Sequence, residues 1–168
     1  MNNEHTSFDD VLAANDAYAQ TFDLHGLQAR AARGLAVVTC MDSRIDPLAM
    51  LGLNPGDAKI IRNAGARVTE DVLRTLVLGA HLLGVERIMV VAHTNCKMAS
   101  ATRDQVIETI ETASGVDVRS LDFGLVADQR QTLENDTQKI RSWPFLPPGI
   151  AVGGFIYDVA TGRLEPAA

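Results

Sequence analysis

The stretch LAVVTCMDSR, residues 35–44, decides how the rest of the chain reads. Residues 35–39 form a short run of apolar and β-branched side chains with no polar alternation, the pattern of a strand buried on both faces. Similar runs, rich in Val and Ile and bounded by Gly, Pro, Asn or Asp, stand at residues 58–61, 87–92 and 154–159. Helical spacing fills the gaps. Val72, Leu73, Leu76, Val77, Ala80 and Leu83 fall on one face of a helix over 69–83, with Thr69 as its cap and Gly84 as its stop. Further helices are predicted over 8–22, 103–112 and 125–141, the last closed by the prolines at 144, 147 and 148. Strands alternating with helices predict an α/β fold with a mostly parallel central sheet flanked on both faces by helices. Thr161 and Gly162 read as a tight turn that returns a short antiparallel edge strand.

The 168 residues predict one domain, and a compact monomer of 18.1 kDa should expose about 8,000 Å². No repeat or linker divides the chain, so residues 1–168 are read as a single unit, with a helical arm at 1–34 before a core at 35–168. Acids outnumber bases 21 to 15, for a net charge of −6. That balance argues against nucleic acid as a partner, which needs a basic face, and against a basic membrane-surface helix. No apolar run approaches the length of a membrane span, and the first residues lack the basic and apolar regions of a secretory signal. A cytoplasmic location is therefore expected. Two cysteines are too few for a disulfide framework and in a reducing compartment point to free, catalytic or metal-bound thiols.

The chemistry gathers at strand ends. Cys40 closes the first strand and is followed by Asp42 and Arg44; His93 follows the third strand, and Cys96 completes an H-x-x-C. In parallel α/β sheets the carboxyl ends of strands share one edge, where ligands bind. Two thiolates and an imidazole suit zinc, and three protein ligands leave the open fourth position that catalytic zinc requires. A Cys–His nucleophilic pair is the competing chemistry, but it leaves the second cysteine unexplained. Asp42 and Arg44 have two readings: an ion pair that pins the loop, or a carboxylate that either accepts a hydrogen bond from zinc-activated water or ligates zinc itself, with Arg44 setting which. Loosening of the pair at lower pH or in another assembly state would let Asp42 close the site. His81 is expected to pack or face solvent.

With C-M-D-S-R at 40–44, R-N-A-G-A-R at 62–67 and H-T-N-C at 93–96, the sequence resembles the β-class carbonic anhydrases. Weaker likeness runs through residues 70–76 and through G-F-I-Y-D-V-A-T-G-R-L at 154–164. The short length is similar to the compact bacterial branch. The resemblance implies a zinc lyase that interconverts carbon dioxide and bicarbonate, with one Zn2+ per chain held by Cys40, His93 and Cys96. Asp42 would be the switchable aspartate and conditional fourth ligand, and Arg44 its partner. It further implies a homodimer or dimer of dimers, with the N-terminal helix packed on a second subunit and the cleft at the interface; packing of that helix on its own core is the alternative. Ala64 and Gly65 either line the substrate pocket, through small side chains and backbone N–H groups, or, for Gly65, serve a tight turn. The family usually has Gly after the second cysteine ligand, where this chain has Lys97; its charge acts on the thiolate or on an anion, or the side chain leaves for solvent or a carboxylate. The same ligands would also serve a hydrolase of carbonyl sulfide or carbon disulfide, or a zinc-bound sensory protein without turnover.

Overall fold

The computed structural model describes residues 7–168. His5 and the start of the predicted arm lie outside the described residues. In chain order the elements are α1 (Asp9–Gln20), β1 (Leu35–Cys40), α2 (Pro47–Met50), β2 (Ala58–Asn63), a 3-10 turn (Ala64–Ala66), α3 (Glu70–Leu82), β3 (Arg87–His93), α4 (Lys97–Ser100), α5 (Arg103–Ser114), α6 (Gln129–Arg141), β4 (Ala151–Tyr157) and β5 (Leu164–Pro166). The five strands lie in the order β2-β1-β3-β4-β5. All neighbouring pairs are parallel except β4 with the edge strand β5. The predicted α/β architecture is the one observed.

Every residue of β1 is buried, as its unbroken apolar run requires of a strand flanked by two parallel neighbours. Its one polar side chain, Thr39, donates to the Val91 carbonyl at 3.0 Å, so no polar atom is stranded there. Successive side chains alternate across the sheet. Ala36 and Val38 meet Val72, Leu73 and Leu76 of α3 and Leu133 and Ile140 of α6 on one face. On the other, Leu35, Val37 and Val91 are met by Met50 of the short α2 and by Leu51 and Leu53. The helical cover is thus unequal, with the long helices α3 and α6 packed on the same side.

Local signals account for the helix boundaries. The Thr69 hydroxyl accepts from the Val72 N–H at the start of α3, with Glu70 and Asp71 in the first turn. A reciprocal cap between Thr102 and Gln105 opens α5, and Gly115, left-handed, closes it. The predicted helix at 125–141 begins later, at Gln129. Asp128 caps it through the Gln131 N–H, and the Val126 N–H is held instead by the Met98 carbonyl at 2.9 Å. The strand predicted from Gly154 begins three residues earlier, at Ala151, because β4 pairs along the whole of β3. Gly154 has a packing reason: a Cβ there would sit 2.9 Å from Leu133 Cγ and 3.1 Å from Thr137 Cγ2, so its absence lets α6 approach the sheet.

α1 has no buried residue. Phe8, Val11, Leu12, Tyr18 and Phe22 are all exposed, Phe8 at 76%. Among the described residues no helix is long and apolar enough to cross a membrane.

Candidate metal centre

Adjacent parallel strands bring the three sulfur and nitrogen donors together. Cys40 ends β1 and His93 ends β3, whose register aligns Thr39 with Val91. After His93 the chain turns through Asn95, at a left-handed φ of 55°, and this returns Cys96 toward the strand ends. One donor atom from each of Cys40, His93 and Cys96 lies within 4.8 Å of the other two, and all three residues are buried.

The imidazole is set for ligation. His93 Nδ1 lies 2.9 Å from the Thr94 carbonyl oxygen. A carbonyl can only accept, so Nδ1 carries the proton and Nε2 presents a lone pair. Nε2 is fully buried and has no hydrogen-bond partner, an arrangement that costs free energy unless something else binds there. Two thiols and a bare imidazole nitrogen are a borderline-soft donor set that fits zinc, and they leave a fourth tetrahedral position for solvent or substrate. Burial, with Cys40 close by, pushes the Cys96 thiol up, while the Met98 and Ala99 N–H groups pull it down. A bound divalent cation reverses that balance and favours the thiolate.

The backbone around Cys40 is braced from β2 and the turn that follows it. Arg62 Nε donates to the Cys40 carbonyl at 2.9 Å, and its Nη2 to the Asp42 carbonyl at 2.7 Å. The Gly65 N–H points at Cys40 Sγ, 3.4 Å away. Gly65 has φ 80°, so its conformation requires glycine while its N–H serves the sulfur. The turn expected of Gly65 is present, and the residue lies on the buried side of the centre and not along its opening. Gln129, at the start of α6, donates to the His93 carbonyl at 2.8 Å. Sequence reasoning missed Arg62 and Gln129 as supports. Arg62 stood in a quoted motif, but nothing in the spacing said which backbone groups it would reach.

Asp42 and Arg44 form a close pair beside the donors. Arg44 Nε and Nη2 donate to Oδ1 and Oδ2 at 2.9 and 2.8 Å, and Nη2 also reaches the Asn95 carbonyl at 3.1 Å. The Arg44 hydrogen bonds hold the Asp42 carboxyl well below the usual carboxylate range, so near neutral pH the pair does not loosen through protonation of Asp42. Asp42 Oδ2 lies 3.8 Å from His93 Nε2. An opening of about 540 Å³ runs up to this point, lined by Cys40, Met41, Asp42, Arg44, Cys96 and Lys97 among others, Ala64 included. His81 is remote: its Nε2 sits 2.9 Å from the Phe145 carbonyl oxygen.

Known proteins resemble this chain in sequence and fold. The carbonic anhydrase family model matches residues 35–164. Beta-carbonic anhydrase 1 of Mycobacterium tuberculosis is 38% identical over 163 residues, covering 95% of this chain and 97% of that protein. A carbon disulfide hydrolase of Acidithiobacillus thiooxidans is 30% identical over 154 residues, 80% of this chain and 77% of its own length. The solved carbonic anhydrase of Streptococcus mutans superposes with a TM-score of 0.90 at 36% identity, over 97% of this chain and 99% of that one. With a family match spanning both strand-end motifs and relatives aligned along nearly their whole length, the chain belongs to the β-carbonic anhydrase family.

Proposed function

We propose that this chain catalyses the reversible hydration of carbon dioxide to bicarbonate and a proton, at one zinc ion held by Cys40, His93 and Cys96. The observation that carries the reading is the buried, unpartnered His93 Nε2 facing two buried thiols. When bound, zinc supplies a Lewis acid that brings the pKa of water to about 7. Asp42, ionised and partly buried, accepts the hydrogen bond of the attacking water and turns its lone pair toward the substrate carbon. Arg44 holds both carboxylate oxygens and thereby keeps Asp42 from becoming a fourth ligand. Ala64, with Met41 and Met98, gives the opening a small, largely apolar wall suited to a linear, uncharged substrate; Gly65 supports that wall from behind.

Two features favour assembly of copies of the chain. The accessible surface is 10878 Å², against about 8,000 Å² for a compact monomer of this mass. The apolar residues of α1 are all exposed. A homodimer or dimer of dimers, with α1 of each copy packed on another, accounts for both. This treats residues 1–34 as an arm and 35–168 as the zinc-binding core. Two free, buried cysteines and the absence of a membrane-spanning helix among the described residues agree with the cytoplasm as the site of action.

Stopped-flow measurement of CO2 hydration tests the reading, comparing zinc-loaded with metal-free protein and running carbonyl sulfide and carbon disulfide in parallel. Hydration well above the metal-free control is expected. Turnover of only the sulfur compounds would move the assignment to the hydrolases, and no turnover with full zinc would leave the sensory reading.

A further inference from the structure

The opening beside the three donors is lined by two cations, and they are not equivalent. Arg44 is committed: its guanidinium binds both oxygens of Asp42 and the Asn95 carbonyl. Its charge is balanced by the carboxylate it grips. Lys97 follows Cys96 directly, is exposed, and lines the same opening. Its backbone carbonyl accepts from the Ser100 hydroxyl at 3.3 Å. Among the described residues no carboxylate pairs with its ammonium. In a chain of net charge −6, the mouth of this site therefore carries an uncompensated positive charge.

We propose that Lys97 makes the mouth of the site an anion-holding position, which retains bicarbonate and competing small monovalent anions but leaves the encounter with neutral carbon dioxide untouched. This rests on the functional reading above. The two carbon species differ in charge: carbon dioxide is neutral, and bicarbonate carries one negative charge, balanced by the proton released with it. A fixed cation at the mouth lowers the free energy of the bicarbonate-bound state without acting on carbon dioxide. Because enzymes cannot change the overall equilibrium, kcat/KM in the two directions stays in fixed ratio. The effect of Lys97 appears in the split: a lower KM for bicarbonate, slower product release during hydration, and tighter inhibition by simple anions. Met41 and Met98 on the same walls offer an anion no side-chain hydrogen-bond donor and Ser43 only a neutral hydroxyl, so the ammonium is the charge there without a carboxylate partner among the described residues.

The size is bounded by exposure. A solvent-facing charge acting over a few ångströms changes the affinity of a monovalent anion by about three- to fivefold, and salt screens it. The test uses Lys97→Met, which keeps the stem and removes the charge, Lys97→Arg, which restores it, and Lys97→Glu, which reverses it. Bicarbonate and thiocyanate are titrated into cobalt(II)-loaded protein and followed by the visible spectrum, a binding readout independent of turnover; zinc-loaded protein gives KM for bicarbonate and kcat for hydration. At low ionic strength, anion dissociation constants should rise about three- to fivefold in Lys97→Met, rise further in Lys97→Glu, and stay near the parent in Lys97→Arg. These differences should collapse at about 0.5 M of a weakly binding salt, where screening acts within a few ångströms. Equal anion affinities across the four proteins, or losses that persist unchanged at high salt, overturn the proposal. The two readings fail separately. A parent protein that binds anions in a Lys97-dependent way but does not hydrate carbon dioxide sinks the enzymatic reading alone; one that hydrates it with no Lys97 dependence of anion binding sinks this one alone.

Discussion

Arg44 holds Asp42 by both carboxylate oxygens and so fixes Oδ2 at 3.8 Å from the free Nε2 of His93. The grip spans two residues of sequence and ends at the Asn95 carbonyl, which ties the loop after β1 to the turn after β3. The carboxylate is thereby presented to the donor cluster without joining it.

Replacing either partner tests that arrangement. Arg44→Ala should lower kcat on the order of 10–100-fold at unchanged zinc content, by freeing Asp42 to turn toward the metal. Asp42→Asn should also keep zinc and lose activity. The double variant should lose little more than the worse single one, because the two side chains act as a unit. Stopped-flow kinetics with metal analysis on the same samples decides; Arg44→Ala within twofold of the parent from pH 6 to 9 would refute the positioning role of Arg44.

Elemental analysis of protein purified without chelator should find close to one zinc per chain. Cys96→Ser should weaken retention by at least about tenfold in competition with a chelator, since a neutral hydroxyl replaces a thiolate. Less than about 0.2 zinc per chain in the parent would contradict the metal site, for which a filled position on the donor set is expected.

A second ion pair holds the turn behind the centre to α6. Arg67 Nε donates to Asp136 Oδ2 at 2.8 Å, and the Val68 N–H donates to the same oxygen at 3.1 Å. Asp136 is buried, so Asp136→Ala leaves the Arg67 charge without its carboxylate and the Val68 N–H unpaired, and should cost about 3 kcal/mol. The drop in urea midpoint at constant m-value measures it. A loss under about 1 kcal/mol would place the pair among the weak surface pairs.

Gly154→Val should destabilise by about 1–3 kcal/mol, because its side chain meets Leu133 and Thr137 of α6 and the backbone there is fixed by pairing to β3. Thermal unfolding of the variant beside the parent gives the value; an unchanged Tm would mean that α6 can retreat freely.

Sedimentation at micromolar concentration should show a dimer or larger species, and removal of residues 1–22 should reduce both assembly and solubility. A single 18.1 kDa species for the intact chain would exclude the packing of α1 on a second copy.

The sequence by itself determined the strand-rich core and the donor set. Short apolar runs bounded by turn residues and alternating with helical segments read as parallel strands, and the carboxyl ends of parallel strands share one edge. Cys40 and His93 stood at that edge, and the H-x-x-C spacing and the donor chemistry of two thiols and an imidazole added Cys96. Tertiary structure decided what periodicity does not encode. The start of β4 is set by its partner β3, since Gly153 and Gly154 have no strand preference; Gly154 leaves room for α6, and Gly153 for the Phe155 ring. Residues 125–127 stay out of α6 because the Val126 N–H bonds to the Met98 carbonyl, a partner far away in the chain. Arg62, Gly65 and Gln129 act on Cys40 and His93 through hydrogen bonds to backbone and sulfur across 22 to 36 residues. Side-chain patterns report which face is buried. They do not report which distant carbonyl a guanidinium will find, because that is fixed only when the strands have paired.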